Sequence, residues 1–104
     1  MEREEARDNV LASIDSALTV FGDSVRVVVY YELEKFFGVS RNDVLLKPEK
    51  FDETINKIFG AGAPVLRQAI LRKLQESSKI KNLDRKGLAS AIRTAYHEQL
   101  ERLI

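Results

Sequence analysis

The 104-residue chain has no cysteine, no tryptophan, one histidine, one methionine and two prolines. Without cysteine there is no thiol nucleophile, no disulfide, no iron–sulfur ligation and no cysteine-type zinc site. A lone histidine, His97, excludes every metal motif that needs two. Long apolar runs are missing as well, since no segment approaches the roughly 20 residues that span a bilayer. The acidic opening Met1-Glu2-Arg3-Glu4-Glu5 is unlike a secretory signal. Together these absences predict a soluble cytoplasmic protein with no membrane contact, no cofactor and no bound metal.

What is present is an ordinary globular composition, 44% hydrophobic and 32% charged. A chain of this size folds as one domain over residues 1–104 and buries roughly 65% of the surface its unfolded form exposes. Its near-neutral net charge of +1 conceals an asymmetry. Residues 1–23 carry Arg3 and Arg7 against Glu2, Glu4, Glu5, Asp8, Asp15 and Asp23, a net −4. Residues 24–64 balance, and residues 65–104 carry a net +5. Such a basic half suits an acidic partner such as nucleic acid. A solvated helix face, neutralised by an acidic first helix lying near a basic last one, explains the same residues without a ligand.

Apolar spacing near 3.6 residues runs along most of the sequence. Val10, Ile14, Ala17, Leu18 and Phe21 form one stripe of a helix reaching about Val20, with Gly22 as its stop and Asp23 as the next N-cap. Residues 24–37 contain Val27-Val28-Val29-Tyr30-Tyr31, which has strand propensity. Yet Val25, Val29, Leu33 and Phe36 keep helical spacing, Val28, Tyr31 and Phe37 widen the stripe, and no partner strand is evident. This segment is assigned as a second helix, the most buried of the set, closed by Gly38. Ser40 caps a short turn, and Pro48 opens a third helix carrying Phe51, Ile55, Ile58 and Phe59. A Gly60-to-Pro64 break precedes a fourth helix with Leu66, Ala69, Ile70 and Leu74 inward. Asn82 is placed as the cap of a last helix, about residues 83–104, carrying Leu88, Ile92, Tyr96, Leu100 and Leu103. The ending Leu103-Ile104 calls for a docking surface. The expected architecture is all-α, an irregular bundle of five main helices plus one short helical turn.

Several of these core and capping residues also form a familiar succession. Phe21-Gly22-Asp23-Ser24-Val25, Tyr30 with Leu33-Glu34, Phe37-Gly38-Val39, Pro48-Glu49 with Phe51, and Ile58-Phe59-Gly60 followed by Gly62-Ala63 stand in order. Over about residues 17–74 this resembles the small archaeal Nitrososphaera output domain family. The resemblance implies an all-helical module, found alone or attached to signalling proteins, with no catalytic or binding residue to carry over. The acidic N-terminal stretch and the helix after Asn82 fall outside it.

Five patterns carry candidate chemistry. Leu33 to Val44 echoes a DNA-reading helix-turn-helix, but Pro48 leaves its second helix barely two turns, and Asn42-Asp43 faces phosphate with the wrong charge. Gly60-Ala61-Gly62-Ala63-Pro64 with Arg67 resembles an anion loop, although the spacing is not that of a P-loop and reads more simply as a glycine stop before a proline start. Lys86, Ser90, Arg93 and His97 share a polar stripe that, with Lys79, Lys81 and Arg85, could contact phosphates without reading bases. His97 beside Glu98 does not make a base with its orienter, because helical neighbours point about 100° apart. Tyr30, Tyr31 and Tyr96 read as core tyrosines with rim hydroxyls rather than stacking platforms. The expectation is a non-catalytic protein-interaction or regulatory output module, a homodimer with an unidentified protein partner. The alternative is a nucleic-acid-binding transcriptional regulator that uses Lys79, Lys81, Arg85, Lys86 and Arg93.

Overall fold

In the computed structural model, which describes residues 2–103, the chain is all-α and forms no strand among those residues. Helix α1 (Glu2–Thr19) exists because its apolar residues recur on one face. Ala6, Val10, Leu11, Ile14, Ala17 and Leu18 are all buried. The stripe ends one turn before Phe21, which is exposed together with Val20 instead of completing it. Gly22, at φ 118°, swings the chain into α2 (Asp23–Phe37). Gly22 holds the N-cap position expected for Asp23, and Asp23 is the first helical residue, with no side-chain cap bond formed.

Residues 24–37 are helical, so their helical spacing outweighs β-branched propensity. The helix is not the most buried one. Only Val29 and Leu33 are fully buried, while Val27, Val28, Tyr31 and Phe36 are exposed. The reason is geometric: α2 packs chiefly on α1 and α3, which cover one side of it. Gly38 closes the helix in the left-handed conformation, its N–H bonding the carbonyl of Glu34.

A 3-10 turn at Arg41–Asp43 leads, through buried Val44 and Leu45, to α3 (Pro48–Phe59), with Pro48 in its first turn. Two further 3-10 turns, Gly60–Gly62 and Leu83–Arg85, bring the short turns to three where one was expected. Helix α4 (Ala63–Ser78) follows the first of them, and α5 (Leu88–Leu103) follows the second. Asn82 therefore holds the N-cap position of the short turn rather than of the last helix, with no side-chain cap bond formed. Buried Leu83 splits the C-terminal segment, and Gly87 with Lys86 in extended backbone separates turn from helix. Leu103 is half-buried, and Ile104 lies outside the described residues.

Helix α1 lies at the centre, against α2, α4 and α5, while α3 closes the far side against α2, α4 and α5. Phe51, Ile14, Leu33, Ile55, Ile70, Leu74 and Ile92 are among the fully buried side chains. Each contributes about 1.5–3 kcal/mol by leaving water. Polar stitches cross the same seams. Ser13 Oγ donates to Ser77 Oγ at 2.9 Å between α1 and α4, and Asn9 donates to Gln99 at 3.2 Å between α1 and α5.

Lys79 ends α4 in the left-handed conformation, φ 61°, with its N–H on the carbonyl of Gln75. A β-carbon is strained there, so Lys79→Gly is expected to raise stability by about 1 kcal/mol, read as an upward shift of the urea midpoint. An unchanged or lowered midpoint would refute this account of the α4 terminus.

Candidate functional site

The most organised polar cluster joins three elements. Asp15 on α1 accepts from the Tyr30 hydroxyl of α2 at 2.5 Å and from Arg41 of the first 3-10 turn, Nε at 3.1 Å and Nη2 at 2.6 Å. The Arg41 guanidinium also stands 5.9 Å from the Tyr30 ring centroid. Burial, then the hydrogen bond to Asp15 and its negative charge, push the Tyr30 hydroxyl above its ordinary range. Arg41 is likewise raised, chiefly by its bonds to Asp15. A phenol held protonated, a carboxylate satisfied by three donors and a permanent cation offer no base and no nucleophile. The cluster is a clamp that fixes α1, α2 and the turn to one another.

This clamp was not foreseen from the sequence, although a signal existed. Asp15 lies four residues from Leu11 and three from Leu18, both fully buried, and a carboxylate placed between core positions needs a partner. Tyr30 packs on the core as expected, although its hydroxyl is bonded to Asp15 instead of simply meeting water at the rim, and half-buried Tyr96 packs on the core too. Tyr31 does not; it is 63% exposed.

The anticipated basic face is divided by the fold. Arg93 points from α5 to Glu49 at the start of α3 and grips it with both terminal nitrogens, Nη2 to Oε1 at 2.7 Å and Nη1 to Oε2. The hydrogen bonds from Arg93 hold the Glu49 carboxyl below its usual range, and Glu49 raises Arg93 in turn. Arg102 is likewise engaged by Glu98 and donates to the Ser78 carbonyl at 3.0 Å. Lys86 precedes α5 in extended backbone, so it is not on the helical stripe with Ser90, Arg93 and His97. Lys79, Lys81, Arg85 and Lys86 remain together as exposed side chains in the α4–α5 connection. Among the described residues no carboxylate pairs with them.

The other patterns resolve plainly. After Gly38 the chain makes only the 3-10 turn at Arg41–Asp43 before α3, so the segment has no recognition helix. Gly60 closes α3 and Pro64 lies in the first turn of α4. Arg67 is taken by Asp52 at 2.6 Å and Asn56 at 3.3 Å, which leaves no arginine for an anion there. His97 is exposed and stands 3.8 Å from Glu101, one turn on, rather than against Glu98. Glu98 Oε2 is buried without a hydrogen-bond partner beside an open groove of about 460 Å³. No group of three His, Cys, Asp or Glu among the described residues could hold a metal ion. No helix there is long and apolar enough to cross a membrane.

Two exposed features are apolar: a groove of about 610 Å³ lined by Val20, Phe21, Pro64 and Val65, and one face of α2. Ser24, Val27, Val28 and Tyr31 fall at i, i+3, i+4 and i+7 of α2, on the arc opposite Val29 and Leu33. Beside them Ser24, Val25, Val28 and Phe59 line a dimple of about 190 Å³. Alternating stripes thus give α2 two apolar faces, of which the fold covers one. No family model, no curated protein and no solved structure matches the chain.

Proposed function

We propose that the chain is a non-catalytic protein-interaction module, of signalling or regulatory output type, that binds a protein through the outer face of α2. The observation carrying this reading is the exposure of Val27, Val28 and Tyr31 on a helix whose other face already fills the core. A contiguous apolar stripe left in water on a small domain is a docking surface in waiting. The resemblance of about residues 17–74 to the Nitrososphaera output domain family belongs to the same proposal, as do a cytoplasmic location and a homodimeric state. Against a catalytic role stands the part-buried Asp15–Tyr30–Arg41 constellation, whose acid, phenol and guanidinium are mutually satisfied.

A second reading keeps one observation of its own. Lys79, Lys81, Arg85 and Lys86 cluster on a connection with two left-handed non-glycine residues, Lys79 and Asn82. They could hold a phosphate backbone without base contacts. Site-specific photo-crosslinking in the native cell separates the two. A photoreactive side chain at Val28 is expected to give nuclease-resistant protein adducts, and one at Lys81 to give little. Nucleic-acid adducts from Lys81 with none from Val28 would replace the interaction reading with the regulator.

A further inference from the structure

We propose that the groove between the end of α1 and the outer face of α4 binds a medium-chain monocarboxylate, a free fatty acid of roughly eight to ten carbons whose carboxylate meets Arg72. The site is separate from the outer face of α2 and does not depend on that face binding protein.

The shape of the groove follows from α4. Val65, Gln68, Ala69 and Arg72 fall at i, i+3, i+4 and i+7, so they share one face over two turns, with about 10 Å of helix between Val65 and Arg72. Ala69, the smallest of the four, makes the floor between the two ends, and Val20 and Phe21, where α1 stops, supply the wall alongside. The space of about 610 Å³ is the size of a small-molecule site. Val65 is 59% exposed and Val20 78%, so an occupant would take from water apolar surface that the fold leaves there.

Charge selects the occupant. Among the described residues Arg72 is the one charged member of the lining. Helical side chains lean toward the N-terminus of their helix, which carries its guanidinium back over the turn of Gln68 and Ala69. Arg41, Arg67, Arg93 and Arg102 each meet a carboxylate. No described carboxylate pairs with Arg72, and the neighbouring Glu76 stands 3.8 Å from Lys73.

An uncharged occupant would strip water from the guanidinium and return no acceptor. A polyanion would find one cation and press its other charges onto valine and phenylalanine. A second copy docked through the same face would bring Arg72 and no carboxylate. An extended peptide would leave its backbone groups with Gln68 as their one uncharged polar side chain in the lining. A single carboxylate on an apolar chain meets both demands. Its two oxygens accept a forked pair of hydrogen bonds from Arg72, and its chain lies over Ala69 toward Val65 and Pro64. At ordinary carbon–carbon geometry roughly eight to ten carbons cover that distance. For a ligand of about ten to twelve non-hydrogen atoms in an open groove, Kd on the order of 0.1–1 mM is expected.

Titration of the full chain with sodium octanoate, followed by two-dimensional amide NMR, tests this. The expected result is a saturable shift of the amides of Val20, Phe21 and residues 65–72. 1-Octanol, of the same chain length without the charge, should bind about tenfold more weakly, and octylammonium should not bind at the groove. Arg72→Gln should weaken octanoate about tenfold and leave octanol unchanged, while Arg72→Lys, which keeps the charge and loses the fork, should weaken octanoate about threefold. Circular dichroism is expected to stay unchanged in both variants, because Arg72 is exposed. Leu46→Ser removes an exposed apolar residue outside the groove and should leave octanoate binding intact. No saturable shift up to about 10 mM, equal binding of octanol and octanoate, or an Arg72→Gln protein that binds octanoate like wild type overturns the proposal. Shifts centred on Val28 and Tyr31 instead of the groove do the same. If octanoate has no effect and a photoreactive side chain at Val65 gives protein adducts in the cell, the groove is a protein-docking face and the ligand site is refuted.

Discussion

Val29→Asp is expected to leave the chain unfolded at 25 °C, whereas Val28→Asp, one residue away, is expected to fold. Val29 is 0% exposed and Val28 is 43% exposed, so the two substitutions place the same charge on opposite arcs of α2. At position 29 the carboxylate would sit against a core with no cation to meet it, at a cost of about 4 kcal/mol or more. That is comparable with the whole stability of a domain this size, roughly 5–15 kcal/mol. At position 28 water solvates the charge, and a change within about 1 kcal/mol follows. Ellipticity at 222 nm and urea titration distinguish the cases. A folded Val29→Asp protein, or equal damage from both variants, would mean that the face of α2 toward the core has been misassigned.

The second large effect belongs to the Asp15 clamp. Asp15→Ala removes the acceptor of the Tyr30 hydroxyl and the countercharge of Arg41 together. Breaking a fully buried pair costs about 3–5 kcal/mol, but the Arg41 side chain is 36% exposed and water softens the loss. About 2 kcal/mol is expected for Asp15→Ala and about 1 kcal/mol for Tyr30→Phe, both read from urea midpoints. Alkaline titration adds a signature that simple packing loss lacks. The folded state holds the Tyr30 proton above the hydroxyl's ordinary value of 10.0. The unfolded state therefore releases that proton first as pH rises. This contribution is complete below pH 10 and is lost above it, with a slope of at most about 1.4 kcal/mol per pH unit. Tyr30→Phe should flatten the decline between about pH 10 and pH 12. If wild type and Tyr30→Phe decline in parallel there, the hydroxyl is not held as the geometry indicates.

Helical periodicity was legible in the sequence wherever a helix carries a single apolar stripe. α1, α3 and α4 bury the stripes their spacing marks, Val10 to Leu18, Phe51 with Ile55, and Leu66 to Leu74. α2 was not legible in the same way because apolar residues surround it. Spacing alone could not say which arc meets α1 and α3, and the widening residues Val28 and Tyr31 turned out to face water. The Asn82 cap was displaced because Leu83 is itself a core residue, so the chain must dip inward before α5 can begin. The basic half was legible as a sum and not as a surface. Arg67, Arg93 and Arg102 each meet a carboxylate, and the Asp52 and Glu49 that meet two of them belong to the nominally neutral middle of the chain. The clamp stayed hidden for the same reason, since its three residues come from three elements brought together only by the tertiary fold.

The hydrogen bond from Asn9 to Gln99 joins residues 90 positions apart, and it belongs to a wider pairing of α1 with α4 and α5. That pairing has a consequence in time. A ribosome that has finished α1 has made an amphipathic helix whose apolar face has no permanent cover until residues far downstream exist. At about 5–20 residues per second, the interval between the end of α1 and the start of α5 is roughly 3–14 s. Until α4 and then α5 are made, the α1 face that carries Leu11, Ile14 and Leu18 must stay in water, rest on α2 alone, or be shielded by a chaperone. Completion is then a closure event between α1 and the helices made after it, and it is slower than the formation of any one helix.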